Sequence, residues 1–361
     1  MLAESRDAAE RSGVDVAIVA FRASDHAAFQ HVRRGFRFLD TELDAIAQDL
    51  AAKAVRGELA FFIGAGVSMS AGLPSWDQLL AVLTAGLPDF ESKGLDPLDV
   101  AELVSRDLED FDGAIKEALE KPQRAGVSHL LLAGLGCDEA VTTNFDLLYE
   151  KAAAPDGPGL AVLPWDSLAT RRPWLLKMHG DIEHERSIIL SRGDFIRYGR
   201  EHGPAGAVLQ ALLLSRHLLV VGASLTDDNF LRLAYEVHDF VKQRQATPRT
   251  LGTVLTLEPQ PVKKRLYSGI FDYVDTSADG SEDNQHGRAL AIFLDALGMY
   301  ASVDSSFLLD PRYEFLLDES DRLLVKDINH MIGRIQQRVK PGDQPWTRLS
   351  ESLRNFGARS R

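Results

Sequence analysis

The chain has 361 residues, 45% of them hydrophobic, enough to bury one large core or two ordinary ones. Its 40 Lys and Arg stand against 53 Asp and Glu, and the net charge of −13 argues against a broad nucleic-acid footprint. Cys137 is the only cysteine, which excludes an intramolecular disulfide framework and a cysteine-rich zinc site. The opening MLAESRDAAERSG is charged and has no apolar h-region, so secretion is not expected. The longest apolar tract, 205–225, is broken by Ser215-Arg216-His217 and is too polar in its middle for a membrane span. A cytoplasmic protein is expected.

Residues 13–21, GVDVAIVAF, predict a buried strand, and 25–34 a helix. Together they predict a βα extension over 1–40 that adds an edge strand. Leu43, Ile46, Leu50 and Val55 recur at helical spacing and lead into an apolar strand over 59–63. A helix is expected over 76–87, then a helical stretch over 97–135 with interruptions near Pro122 and Gly126.

Strands and helices then alternate. Strands are expected at 140–143, 160–163, 174–179, 187–190, 217–223, 250–257 and 271–275. The helices between and after them fall at 147–153, 194–198, 205–215, 227–243 and 288–297. Such alternation predicts an α/β fold, Rossmann-like, with a mostly parallel sheet covered by helices on both faces. Its ligand belongs beyond the carboxyl ends of the strands. From about residue 300 the pattern is helical, and Leu316, Leu317, Leu323, Leu324, Ile328, Met331, Ile332 and Ile335 predict an apolar face for the sheet domain or another subunit. The expected division is 1–40, 41–300 and 301–361, with a polar loop at 279–286 and a loose tail from residue 355.

Four strand ends carry the chemistry. FFIGAGVSMSAGLPSW (61–76) runs from an apolar strand into Gly64-Ala65-Gly66 and Ser68, the arrangement that presents backbone N–H groups to a pyrophosphate. Alone, such a Gly-x-Gly is also simply a tight turn. The others are Val141-Thr142-Thr143-Asn144-Phe145-Asp146, Lys177-Met178-His179-Gly180-Asp181, and Val220-Val221-Gly222-Ala223-Ser224-Leu225 followed by Thr226-Asp227-Asp228-Asn229-Phe230. In an open α/β sheet these ends converge on one crevice and surround one ligand with small residues, an Asn, a His and several Asp. Plainer roles stand beside each. Asn144 also suits a helix cap, His179 a turn, Asp181 a loop anchor, and Asp227, Asp228 and Asn229 a helix N-terminus. His184 and His217 have no ligand-like spacing, and Lys263-Lys264-Arg265 reads as a solvated face.

In this order, GAGVSMSAGLP, TTNFD, KMHGD and VGASL resemble the motif set of the sirtuin family, over roughly residues 55–300. Ser75-Trp76-Asp77 stands where sirtuin deacylases carry Asp-Phe-Arg, and their four zinc cysteines are missing. The zinc module is therefore expected to be replaced by the helical stretch 97–135. These departures resemble the bacterial sirtuin-like proteins that consume NAD in antiphage defence.

The resemblance implies NAD as substrate and no zinc. Gly64, Ala65, Gly66 and Ser68 would hold the pyrophosphate, and Asn144 and His179 would flank the nicotinamide ribose. Asp146 would fix its loop and contact the nicotinamide or ribose side, with Gly222 and Ser224 against the phosphates or the adenosine ribose. Asn144 can orient a water or a ribose hydroxyl, and His179 can accept a proton near neutral pH. The implied products are nicotinamide and ADP-ribose.

Such an enzyme needs gating. A homo-oligomer is expected, with a helicase-type ATPase, an Argonaute-like protein or a phage component as partner or trigger, and no direct nucleic-acid or membrane contact. Two alternatives stay open: an NAD-dependent deacylase or ADP-ribosyltransferase, and a non-catalytic NAD or ADP-ribose sensor.

Overall fold

The computed structural model describes residues 2–87, 90, 94–121, 124–154, 159–167, 173–244, 249–277, 286–302, 305–336, 346, 349, 353 and 356. Contacts divide the chain into two units, residues 39–298 and residues 1–38 with 299–361. Pro122, residues 279–285 of the expected polar loop and nearly all of the tail lie outside the described residues.

In the smaller unit, α1 (Leu2–Ser12) and α2 (Ala23–Arg33) flank residues 13–21, which form no strand. This corrects the expected βα extension. Val19 and Phe21 are 92% and 99% exposed. An apolar alternation becomes a strand only where a neighbouring edge accepts its backbone groups, and no described strand pairs with this segment.

The larger unit is built on seven strands: β1 (Leu59–Ile63), β2 (Glu139–Thr142), β3 (Ala161–Leu163), β4 (Trp174–Lys177), β5 (His217–Val221), β6 (Gly252–Thr256) and β7 (Phe271–Asp275). They form one sheet in the order β3-β4-β2-β1-β5-β6-β7, with every pairing parallel. Phe61 in the central strand aligns with Ala140 on one side and Leu219 on the other. Every residue of β1 and β5 is buried, as expected for strands covered on both faces. The chain runs from β1 to β2 and out to the edge strand β3, fills in β4 between β2 and β3, then returns to β1's other side with β5. That reversal puts a topological switch point between β1 and β5. The strand expected at 187–190 is absent, and those residues form an irregular segment.

Helices connect the strands. α3 (Thr41–Val55) precedes β1 and starts where Asp40 accepts the N–H groups of Glu42 and Leu43, both at 2.9 Å. Between β1 and β2 come α4 (Ala65–Met69), α5 (Trp76–Thr84), α6 (Pro97–Asp107), α7 (Phe111–Leu119) and α8 (Val127–Gly134). Leu80, Val104 and Ile115 of these helices share an apolar core with Leu148 and Leu190. The rest are α9 (Leu148–Ala153), α10 (Arg192–Glu201), α11 (Gly203–Ser215), α12 (Asp228–Lys242), α13 (Pro261–Leu266) and α14 (His286–Ala301). The main core joins Phe62, Val141, Leu218 and Val220 of the sheet to Tyr198, Leu209, Phe230 and Leu233 of the helices.

The C-terminal part of the smaller unit contains a 3-10 turn at Pro311–Leu316 and α15 (Glu319–Gln336). Phe307 and Leu317 pack with Ala27 and Ala28 of α2, so the two ends of the chain share a core. The apolar set expected over 316–335 is therefore split. Leu317 is buried, whereas Leu323 and Leu324 are 59% and 50% exposed. Among the described residues no helix is long and apolar enough to cross a membrane.

Candidate active site

The loops after β1 and β5 lie back to back at the switch point. The Gly64 N–H donates to the Val221 carbonyl at 2.9 Å, and the Gly66 N–H to the Gly222 carbonyl at 2.8 Å. A Cβ on Gly64 would sit 2.5 Å from the Gly222 oxygen. One on Gly222, whose φ is +69°, would sit 2.5 Å from the Val67 nitrogen. Glycine is required here by the contact between loops. Two of the amides expected to face a pyrophosphate are thus committed to β5 and the turn after it.

A cavity of 490 Å³ opens beside these loops, a size typical of small-molecule sites. Its wall includes Gly64, Ala65, Ser68, Asn144, Asp146, His179, Gly222 and Ser224; Gly66 is not part of it. Trp76 of α5 and Pro97 and Leu98 of α6 add an apolar side.

Asn144 is held by the end of β2. Thr142 Oγ1 donates to the Ile63 carbonyl at 2.8 Å and accepts the Asn144 N–H at 3.0 Å, tying the loop to β1. The side-chain Nδ2 donates to the Gly64 carbonyl and to Ser68 Oγ, each at 3.2 Å. A carbonyl can only accept, so the amide cannot be turned over. Oδ1 is left buried with no partner.

Ser68 is the hub beneath Asn144. Its hydroxyl donates to Asp146 Oδ2 at 2.8 Å and lies 3.2 Å from His129 Nε2. The Gly126 N–H donates to His129 Nδ1, so the ring hydrogen of the neutral imidazole is on Nε2 and points at Ser68. Burial lowers the His129 pKa against the pull of Asp146, which keeps the ring neutral. Asp146 Oδ1 accepts the Leu148 N–H at 2.9 Å, so this carboxylate braces its own loop.

His179 follows β4. Its Nε2 is 3.0 Å from Asp227 Oδ2, within bonding distance but outside hydrogen-bond alignment. The rings of Phe195 and Tyr198 meet the imidazole edge-on, with centroids at 5.2 and 6.0 Å. Ser224 Oγ bonds Thr226 Oγ1 at 2.8 Å on the β5 side of the cavity.

Residues 138–268 match the SIR2-like domain family. Over that segment the chain is similar to the SIR2-like family. A protein named NAD(+) hydrolase ThsA from Bacillus cereus (strain MSX-D12) is 30% identical over 210 residues, 54% of this chain and 44% of its own length. A protein of the same name from Enterococcus faecium is 28% identical over 200 residues, 53% of this chain and 42% of its own. Defense-associated sirtuin 2 of Bacillus subtilis is 22% identical over 246 residues, 65% of this chain and 24% of its own. The chain thus spans less than half the length of these relatives. A solved structure described as "Structural Basis for the Mechanism and Regulation of Sir2 Enzymes" aligns over 70% of this chain and 96% of its own at 16% identity, with a TM-score of 0.40.

Two residues to which motif reading gave no role also brace these loops. Lys177 is buried, and its Nζ donates to the Asp146 carbonyl and Asp181 Oδ2, both at 2.6 Å, and to Glu150 Oε1 at 2.8 Å. It ties the Asn144 loop to the His179 loop. Burial raises the Glu150 pKa despite the pull of Lys177, while the two carboxylates raise that of Lys177 against its own burial. Asp181 is buried and off the cavity wall, where it accepts Lys177 and the Glu183 N–H. Lys177 was visible as the first letter of KMHGD. His129 carried no signal, because its partner stands 61 positions away.

Proposed function

We propose that the chain hydrolyses the nicotinamide–ribose bond of NAD, releasing nicotinamide and ADP-ribose, as an effector of antiphage defence. The observation that carries this reading is Asn144 Oδ1, a buried acceptor without a partner on a cavity wall shared with His179. Leaving such an atom unpaired costs about 1–3 kcal/mol, so a ligand hydroxyl or a water is called for there. The relatives named NAD(+) hydrolase, and a family match that covers the Asn144 and His179 motifs, support the same reading.

The leaving group is a cationic pyridinium, so the protein need not supply an acid. The C1′–N bond breaks with its electron pair passing to nicotinamide, and positive charge develops on the ribose. A water oxygen then bonds C1′ and gives its proton to His179. Asn144 Oδ1 accepts a hydrogen from that water or from a ribose hydroxyl and fixes the approach. The diphosphate is assigned to Ala65 and the Gly222–Ser224 turn. Gly64 and Gly66 bring the two loops together, and Ser68 and Asp146 hold Asn144 from behind. A permanently active enzyme of this kind would deplete its host. Its activity is therefore gated, in a homo-oligomer or through a partner such as a helicase-type ATPase, an Argonaute-like protein or a phage component.

The test is NAD consumption by purified protein with the products separated by chromatography, beside His179→Ala. Nicotinamide and ADP-ribose from the wild type alone support the reading. Full turnover by His179→Ala, or no NAD binding by the wild type, overturns it.

A further inference from the structure

Proton uptake by His179 depends on what faces its imidazole, and one charged side chain meets it within bonding distance. Asp227 Oδ2 lies 3.0 Å from His179 Nε2. The other oxygen, Oδ1, accepts the Phe230 N–H at 2.8 Å and caps α12. The carboxylate thus does two things at once. Its capping half locks its orientation, and its second oxygen lies 3.0 Å from the histidine, where a small rotation of the ring would align the pair. Burial alone would raise its pKa, yet His179 and the N–H groups of Phe230 and Asn229 outweigh burial and keep it below the ordinary Asp value. Phe195 and Tyr198 from α10 meet the ring edge-on, and His179 also lines the cavity. Tyr198 is the other titratable group facing the pair. Burial, followed by the charge of Asp227, raises its pKa against the nearby Arg232, so it stays neutral.

We propose that Asp227 is the positioning residue of this site, orienting the His179 imidazole and stabilising the imidazolium formed when His179 takes a proton. The proposal rests on the reading of His179 as the proton acceptor in NAD cleavage. Once the water proton is on the ring, both nitrogens carry hydrogen and the Nε2–H faces Asp227 Oδ2. Asp227 stays ionised throughout and gains no proton. Capping alone does not call for a carboxylate, because Asn and Ser cap helices about as well. An oxygen anion held on His179 while the cap is made is what Asp supplies and those residues do not.

That separation makes the test. Asp227→Asn and Asp227→Ser keep a capping side chain and remove the charge, and circular dichroism checks that each is folded. The first readout needs no activity: imidazole 15N resonances of His179, assigned with His179→Ala, report which nitrogen carries the hydrogen. The wild type should hold it on Nε2, and both variants should lose that preference. The second readout is NAD cleavage, where kcat should fall about 10²-fold with little change in KM, at the low end of what a positioned base contributes. In a His179→Ala background Asp227→Asn should have almost no further effect on kcat. An unchanged tautomer in both variants, or a kcat equal to wild type, overturns the proposal. A wild type that holds its tautomer through Asp227 but never cleaves NAD would overturn the functional reading and leave the pair standing.

Discussion

Gly66 and Gly222 meet backbone to backbone: the N–H of the first donates to the carbonyl of the second at 2.8 Å, where a Cβ on Gly66 would lie 2.9 Å from Gly222 Cα. The contact joins the loop after β1 to the loop after β5, beside the cavity that Gly64 and Gly222 line.

Gly222→Ala should therefore disrupt the site. Its positive φ alone costs about 1–3 kcal/mol, and the clash with Val67 adds to that. Gly72→Ala is the control, since Gly72 has φ +97° but nothing within 4 Å of its Cβ position. Urea denaturation of both variants, with NAD binding by calorimetry, separates strain from the loop contact. Equal losses in the two would mean that the close approach does not matter.

Asn144→Ala removes the orphan acceptor and two donated hydrogen bonds. We expect a stability loss of about 1–2 kcal/mol. In NAD cleavage kcat should fall about 10²- to 10³-fold while binding persists. Steady-state kinetics checks this, and a rise in KM at constant kcat would assign Asn144 to binding alone.

Lys177→Met would strand Glu150 and Asp181 as buried carboxylates, at a cost of about 3–5 kcal/mol. Adding Glu150→Gln should recover part of the loss by removing one anion. Chemical denaturation of the single and double variants measures both. A Lys177→Met protein as stable as wild type would remove this triad from the account of how the Asn144 and His179 loops are joined.

His217 predicts a pH dependence. It is buried at the start of β5 with Nε2 2.8 Å from Thr253 Oγ1, and burial lowers its pKa from 6.5 to about 4. Between those values the unfolded chain binds a proton that the folded chain does not. Stability from this group is therefore intact above pH 6.5 and is lost as pH falls towards 4, by about 3 kcal/mol in all. Denaturation midpoints at pH 7 and 4.5 should show a shallower decline in His217→Gln than in wild type. Parallel declines would show that other groups carry the acid sensitivity.

The sequence by itself determined the alternation of strands and helices, the helical stretch between β1 and β2 and the strand ends that meet in one cavity. These follow from local rules: hydrophobic period, glycine at turns and capping residues need only their neighbours along the chain. Residues 13–21 show where local rules stop. Their alternation matches a strand, but a strand exists only with a paired edge, and pairing is decided far away in the chain.

Tertiary structure alone decided the partners. Asp227 was legible as a cap because Phe230 is three residues away, yet its second oxygen meets His179, 48 positions earlier. His129 reaches Ser68 across 61 positions and Lys177 reaches Glu150 across 27. Gly66 fits a phosphate loop by its spacing, and only the fold shows its amide turned onto Gly222. Each of these outcomes is set by how the switch point between β1 and β5 brings loops together, because side chains distant in sequence acquire a common geometry only when the sheet order places them side by side.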